Sequence, residues 1–271
     1  MRTALTIAGS DSGGGAGIQA DIRTFHAFGV FGTTAITAIT AQNTLGVHGV
    51  HAIPADIVRA QILAVADDLR PAAFKTGMLT TRELVGVVAD AVIESSLSNY
   101  VLDPVMVASS GDRLLDADAE RAVTERLLPM ATLVTPNLGE AAVLVGEPVA
   151  GTAAMEAAAR HLVGMGARAA LVKGGHMEGE EVVDILFDGN RVHAWARPRL
   201  ATRNTHGTGC TLSAAVTAGL ALGRTLLDAV EDALDFVHRA IASAPQLGAG
   251  HGPLNHFLEP RARRRPTSAP R

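Results

Sequence analysis

ALTIAGSDSGGGAGIQAD, residues 4–21, sets the fold. A continuous apolar run over 4–9 ends in a polar, glycine-rich loop that passes directly into a helical pattern. A strand that is apolar on both faces and feeds a helix is the repeating unit of a parallel sheet covered on both sides. The unit recurs along the chain. Strands are expected at 33–40, 72–78, 99–106, 131–137 and 167–175, with helical patterns at 54–69, 81–95, 116–129 and 152–166 between them. Pro54 fits a first helical position. One stretch breaks the rhythm: VVDILFDGNRVHAWARPRL, 182–200, alternates at period two around Asp188-Gly189-Asn190 and reads as a hairpin at the sheet edge. Helices at 208–222 and 226–243 close the pattern. The expected fold is α/β, one domain over 1–258 with a mostly parallel central sheet and an edge hairpin. The basic, proline-containing tail 259–271 has no apolar face and is expected to be disordered.

Composition narrows the function. Apolar residues make up 48% of the 271, whereas aromatics make up 3%, leaving few platforms on which nucleic-acid bases could stack. A net charge of -4 argues further against binding by phosphate neutralisation. A single cysteine, Cys210, cannot form an internal disulfide, which fits a reducing compartment. The twenty residues 204–223 lack Asp, Glu, Lys and Arg, but Asn204, His206, several threonines and four glycines fit a buried helix and its approach loop better than a membrane span. With only a short apolar run near the start, the expectation is a cytoplasmic protein with no membrane or nucleic-acid partner.

In such sheets ligands bind beyond the carboxyl ends of the strands. There the sequence collects Gly9-Ser10-Asp11, Gln42-Asn43, Lys75, Asp103, Asn137 with Glu140, and Lys173. The segment 15–20 satisfies a loose G-x-G-x-x-A dinucleotide pattern, but Gln42 stands where that motif needs an acid, and no G-x-x-x-x-G-K-[ST] phosphate loop occurs. NTHGTGC, 204–210, turns from loop into helix. Its first turn, Gly207, Thr208, Gly209 and Cys210, offers unpaired amides and the positive helix end to an anion. That field also favours a thiolate, so Cys210 reads either as a base beside an anion hole or as a small buried hydrophobe. Among 23 basic residues only Lys75 and Lys173 are lysines, each where an apolar run ends in glycine. A compact ammonium that meets a phosphate as a point charge is not replaced by arginine, which favours a role for each, Lys173 more than Lys75. Glu140 reads as a water-mediated magnesium ligand or as an early-helix carboxylate. Asp103, ending a buried strand, requires a cation or a donor. Asp21, one turn into its helix, reads as a ligand partner or a solvated residue.

LTIAGSDSGGGAGIQAD, ITAQNT, KTGML, VLDPVM, LVTPNLGEA, VKGGH and NTHGTGCTLSAA together resemble the ribokinase-like superfamily. Within it they are similar to the hydroxymethylpyrimidine / phosphomethylpyrimidine kinases of thiamine biosynthesis. The resemblance spans residues 4–257 and is sharpest at Cys210, where most of the superfamily carries Asp. It implies a three-layer α/β/α fold, ATP and Mg²⁺. It also implies two successive phosphorylations of 4-amino-5-hydroxymethyl-2-methylpyrimidine, first on the hydroxymethyl group and then on the resulting phosphate. Carried over by position, Gly9, Asp21, Gln42 and Met78 line the pyrimidine pocket, and 207–210 form the anion hole. Lys173, Asn137 and Thr205 meet the nucleotide, and Asp103 and Glu140 serve magnesium. A homodimer follows by analogy with the fold only.

Two positions depart from the family. Three glycines follow Ser12, which suggests a looser first loop, and Ser109-Ser110-Gly111 stands where Lys-Ser-Gly is usual. Lys173 or Arg113 would then take over that lysine's charge. The rival readings are a pyridoxal kinase of the same fold and a non-catalytic pyrimidine-binding regulator. Complete retention of the anion loop, Lys173 and Glu140 speaks against the regulator.

Overall fold

The computed structural model describes residues 1–106, 117–175, 177 and 179–261. Ser109, Ser110, Gly111 and Arg113, and the tail beyond 261, lie outside the described residues. A nine-stranded sheet runs through the molecule. Its strands are β1 (Thr3–Asp11), β2 (Phe31–Asn43), β3 (Gly46–Ala52), β4 (Ala73–Thr76), β5 (Tyr100–Leu102), β6 (Leu133–Val134), β7 (Ala170–Val172), β8 (Glu181–Phe187) and β9 (Val192–Pro198). They lie in the order β3-β2-β1-β4-β5-β6-β7-β8-β9. The span from β2 to β7 is parallel; β3 at one edge and β8–β9 at the other pair antiparallel.

The hairpin expected around Asp188-Gly189-Asn190 is β8–β9. The ribbon β2–β3 was not expected. GVHGVHA is mostly exposed, so its apolar residues carry no burial period for a sequence reading to detect. The expected helix over 116–129 is cut short. Among the described residues regular helix α4 covers Ala117–Ala122; Val123–Leu127 widens into a π turn, and Leu128–Met130 tightens around Pro129, which has no N–H to give. Pro54 caps α2 (Ala55–Leu69) from outside its first turn instead of occupying it.

Alternate residues of the buried strands face opposite layers. Leu5, Ile7, Tyr100 and Leu102 pack with α2, α3 (Arg82–Glu94), α4, α5 (Leu138–Val145) and α6 (Gly151–Gly164). Ala4, Val101 and Leu171 pack on the other face with α1 (Gly17–Ala27), α7 (Thr208–Ala221) and α8 (Leu226–Ala242). Every residue of α7 from Thr211 to Ala221 is buried, which accounts for the uncharged run in the sequence.

The segment after α8 returns across α7, where Thr211 Oγ1 and His256 Nε2 lie 2.9 Å apart. Burial, aided by the Arg23 charge, pushes the His256 imidazole down to about 4. The unfolded chain takes up this proton near its ordinary value while the fold holds the ring neutral. The stabilisation is therefore full above pH 6.5 and drains as the pH falls towards 4. Urea unfolding should show up to about 3 kcal/mol less stability from this residue at pH 4 than at pH 7. In His256→Gln that part of the slope should vanish; an identical slope in the variant would count against the assignment.

Candidate active site

The strand ends meet α7 at a cavity of about 1170 Å³. Its floor is built by charge. Lys173, one residue beyond β7, places Nζ 3.4 Å from Asp103 Oδ1 and 3.8 Å from Glu140 Oε2. Asp103 follows β5 and is nearly fully buried, with Ser213 Oγ donating to Oδ2 at 3.0 Å. Glu140 and Asn137 form a capping box on α5. The Asn137 amide donates to Glu140 Oε2 at 2.8 Å, and the Glu140 amide to Asn137 Oδ1 at 3.0 Å. The cap and the cavity wall are thus the same residue pair. Burial pushes the Glu140 carboxyl up to about 7 against the pull of Lys173, leaving a carboxylate short of positive charge.

Magnesium fits this wall in one way only. Among the described residues no group of three or more His, Cys, Asp or Glu side chains could cage an ion. A magnesium ion that keeps its water and takes oxygens from phosphates needs just one or two carboxylates. Asp103 and Glu140 supply two on the cavity wall.

The first turn of α7 faces this charge. Gly207 caps the helix in the left-handed region at φ 81, and a Cβ there would strike the Gly15 carbonyl. A Cβ on Gly209 would lie 3.2 Å from Lys173 Nζ and 3.9 Å from Asp103, so the open turn lies directly against the ammonium. The Thr208 amide turns back to the Thr205 carbonyl at 3.2 Å, while those of Gly209 and Cys210 have no backbone acceptor among the described residues. The Gly207 amide likewise has no backbone acceptor among the described residues, so only the Thr208 amide of this turn is already engaged. The thiolate reading of Cys210 is corrected. Burial pushes the thiol up to about 12, with Lys75 opposing and Asp103 and Asp21 reinforcing the shift. Cys210 stands in the wall as a neutral group.

Opposite lies the glycine-rich loop between β1 and α1. It is pinned, not loose. Asp11 Oδ1 accepts the Gly13 amide at 2.8 Å, and Oδ2 accepts those of Gly15 at 3.0 Å and Ala16 at 2.8 Å. His206 Nε2 lies 2.8 Å from the same oxygen. Burial alone would raise the Asp11 carboxyl, but these donors, His206 foremost, hold it below the ordinary value. Gln42, Met78 and Gly9 line this half. Gln42 Oε1 is 3.1 Å from Thr40 Oγ1 and its Nε2 3.4 Å from His206 Nε2, and Met78 packs against the bare Gly9 backbone.

Of the residues that the sequence placed at this site, Asp21, Lys75 and Asn43 do not line the cavity, whereas Gly9, Gln42, Met78, Asp103, Asn137, Glu140, Lys173, Thr205 and 207–210 do. Asp21 is fully buried behind the cavity wall, accepting from Lys75 Nζ at 2.8 Å and Thr6 Oγ1 at 2.6 Å. The second lysine, Lys75, is likewise fully buried. Sequence reasoning missed the far lobe, lined by Arg197, Leu234, Val237 and Ile241. There Asp184 Oδ1 accepts the Gly174 amide at 3.0 Å, and Arg197 lies 3.4 Å from Oδ2. It also missed Asp11 and His206 as the clamp joining two loops, although both stood inside quoted motifs.

The phosphomethylpyrimidine kinase family pattern matches residues 11–255. The hydroxymethylpyrimidine/phosphomethylpyrimidine kinase of Rhizobium meliloti is 52% identical over 94% of this chain and 96% of its own. A thiamine biosynthesis bifunctional protein of Geobacter sulfurreducens is 46% identical over 94% of this chain and 52% of its own length. The ADP complex of Bacillus subtilis pyridoxal kinase superposes with a TM-score of 0.89 at 40% identity, covering 94% of this chain and 97% of that one.

Proposed function

The chain belongs to the phosphomethylpyrimidine kinase family, and we propose from that premise how its cavity works. It is an ATP-dependent kinase of thiamine biosynthesis. It phosphorylates 4-amino-5-hydroxymethyl-2-methylpyrimidine and then the monophosphate formed, giving the diphosphate. In the first step the hydroxymethyl oxygen attacks the γ-phosphorus of ATP, the bond to ADP breaks and the alcohol proton leaves to water. In the second, a phosphate oxygen of the monoester attacks the γ-phosphorus of a second ATP, and the bond to ADP breaks again, releasing ADP. That nucleophile is already anionic and needs no base.

The observation that carries the assignment of roles is the Lys173 ammonium, held by Asp103 and Glu140 against the open turn at Gly209. It meets the transferring phosphate as a point charge, while the Gly209 and Cys210 amides take its oxygens. Asp103 and Glu140 would hold Mg²⁺ through water, and the ion, when bound, offsets phosphate charge. The pyrimidine lies between Gln42, Met78 and Gly9, under the loop that Asp11 holds. Asn137 and Thr205 flank the nucleotide. One kinase domain over 1–258 carries the whole arrangement. Among the described residues no helix is long and apolar enough to cross a membrane.

Magnesium-dependent ADP release is expected with the hydroxymethylpyrimidine, continuing until two equivalents of ATP are consumed per substrate. Pyridoxal is the second substrate to test, because a pyridoxal kinase shares this architecture. Turnover of pyridoxal alone would overturn the substrate assignment, and tight pyrimidine binding without ADP release would overturn the kinase reading.

A further inference from the structure

Behind the cavity wall lies a charge that none of the steps above uses. Lys75 ends β4 with its side chain wholly buried. β1 and β4 bring Thr6 opposite Lys75 in register, and both residues bind Asp21 of α1. On its other side the Lys75 ammonium is 4.0 Å from Asp103 Oδ2, the oxygen that also accepts from Ser213. Asp103 Oδ1 faces Lys173. Five groups therefore alternate in sign, Asp21–Lys75–Asp103–Lys173–Glu140, from beneath the substrate loop to the cap of α5.

Against the cost of burial, two carboxylates flank the Lys75 ammonium, Asp21 at 2.8 Å and Asp103 at 4.0 Å. A buried ion pair is weak support for stability, since apolar residues fill such space at least as well. This one lies 4.0 Å from the carboxylate that holds the phosphate-facing lysine.

We propose that Lys75 is a positioning residue for phosphoryl transfer: from behind the wall its ammonium, with Ser213 Oγ, fixes one oxygen of Asp103 so that the other holds Lys173 against the first turn of α7. The inference rests on the kinase reading. It concerns a residue that never meets substrate, and it predicts a loss in kcat with little change in KM for the pyrimidine, whose pocket Lys75 does not line.

The sequence supplies a direct probe. With only two lysines, protein labelled with ¹³Cε-lysine shows two side-chain signals, and substitution of Lys75 leaves Lys173 alone. Lys75→Met strands Asp21, so the paired variant Lys75→Met/Asp21→Asn is compared with Asp21→Asn. The double variant should melt close to Asp21→Asn, yet turn over at least about tenfold more slowly, and its Lys173 signal should move. A purely structural Lys75 predicts the reverse: once the pair is removed together, kcat recovers with stability. Ser213→Ala loosens the same Asp103 oxygen without stranding a charge and keeps the test open if the double variant does not fold. It should shift both lysine signals and lower kcat about threefold. A double variant as active as Asp21→Asn would overturn the proposal, and so would lysine signals unmoved by Ser213→Ala. The signals are read without substrate, so a failure here is distinguishable from a failure of the kinase reading, which would show as absent turnover in the unmutated protein.

Discussion

Lys173→Met is expected to lower kcat for both phosphorylations by about a thousandfold while the chain stays folded. The ammonium is the cation that joins Asp103, Glu140 and the open turn at Gly209. Its loss removes the charge facing the transferring phosphoryl group. The fold should tolerate the change. Asp103 keeps Ser213 and Lys75, and Glu140, already pushed up to about 7, keeps the Asn137 amide and can take up a proton. Lys173→Arg is the more telling variant. A planar guanidinium is bulkier than the ammonium it would replace beside Gly209, Asp103 and Glu140, and it spreads its charge over a fork. A loss of about a hundredfold is expected from it. Coupled measurement of ADP release, with a thermal melt of each variant, checks both. An arginine variant within threefold of the parent would reduce Lys173 to a strand-end residue without a role in transfer.

Cys210→Asp should separate the two reactions. A neutral thiol in the wall does not repel the monophosphate that enters for the second step. A carboxylate would do so by about 4 kcal/mol for unit charges about 4 Å apart at an effective dielectric near 20. The variant should therefore lose the monophosphate step by a factor of at least about a hundred more than the alcohol step. Cys210→Ala is the control. Had the thiol served as base, alanine would remove mainly the alcohol step; with the thiol held up at about 12, both steps should fall together, by less than about tenfold. Separate rates for the alcohol and the monophosphate decide the matter. Equal losses in the aspartate variant would sink the charge argument and leave Cys210 a packing residue.

What the sequence disclosed here was local. Glycines before a helix, apolar runs ending in a polar residue, and a lysine at a strand end are signals within a few neighbours, and they located almost the whole cavity wall. What it hid was pairing at long range. Nothing in AAFKTGM shows that Lys75 turns to Asp21, because the partners are brought together by the parallel register of β1 with β4. Asp21 was placed in the pocket for the same reason: its position one turn into α1 says nothing of which side of the wall it occupies. Asp11 and His206 are 195 residues apart in sequence, and the loop that three glycines made look loose is held by that distant contact. The far lobe depends on Arg197 lying near Asp184 across an antiparallel hairpin whose turn was legible but whose cross-strand partners were not.

The Asp11–His206 clamp has a meaning for anyone who would redesign substrate choice. The glycine loop and the turn at 205–210 cannot be exchanged as separate modules. The Gly15 carbonyl fills the space a side chain on Gly207 would need, and the Gly17 amide reaches the Cys210 sulfur. A foreign loop grafted between β1 and α1 would arrive without its counterpart and leave His206 with no acceptor. The transferable part is the pair, 9–17 together with 204–210, moved as one cassette although almost two hundred residues of chain lie between its halves.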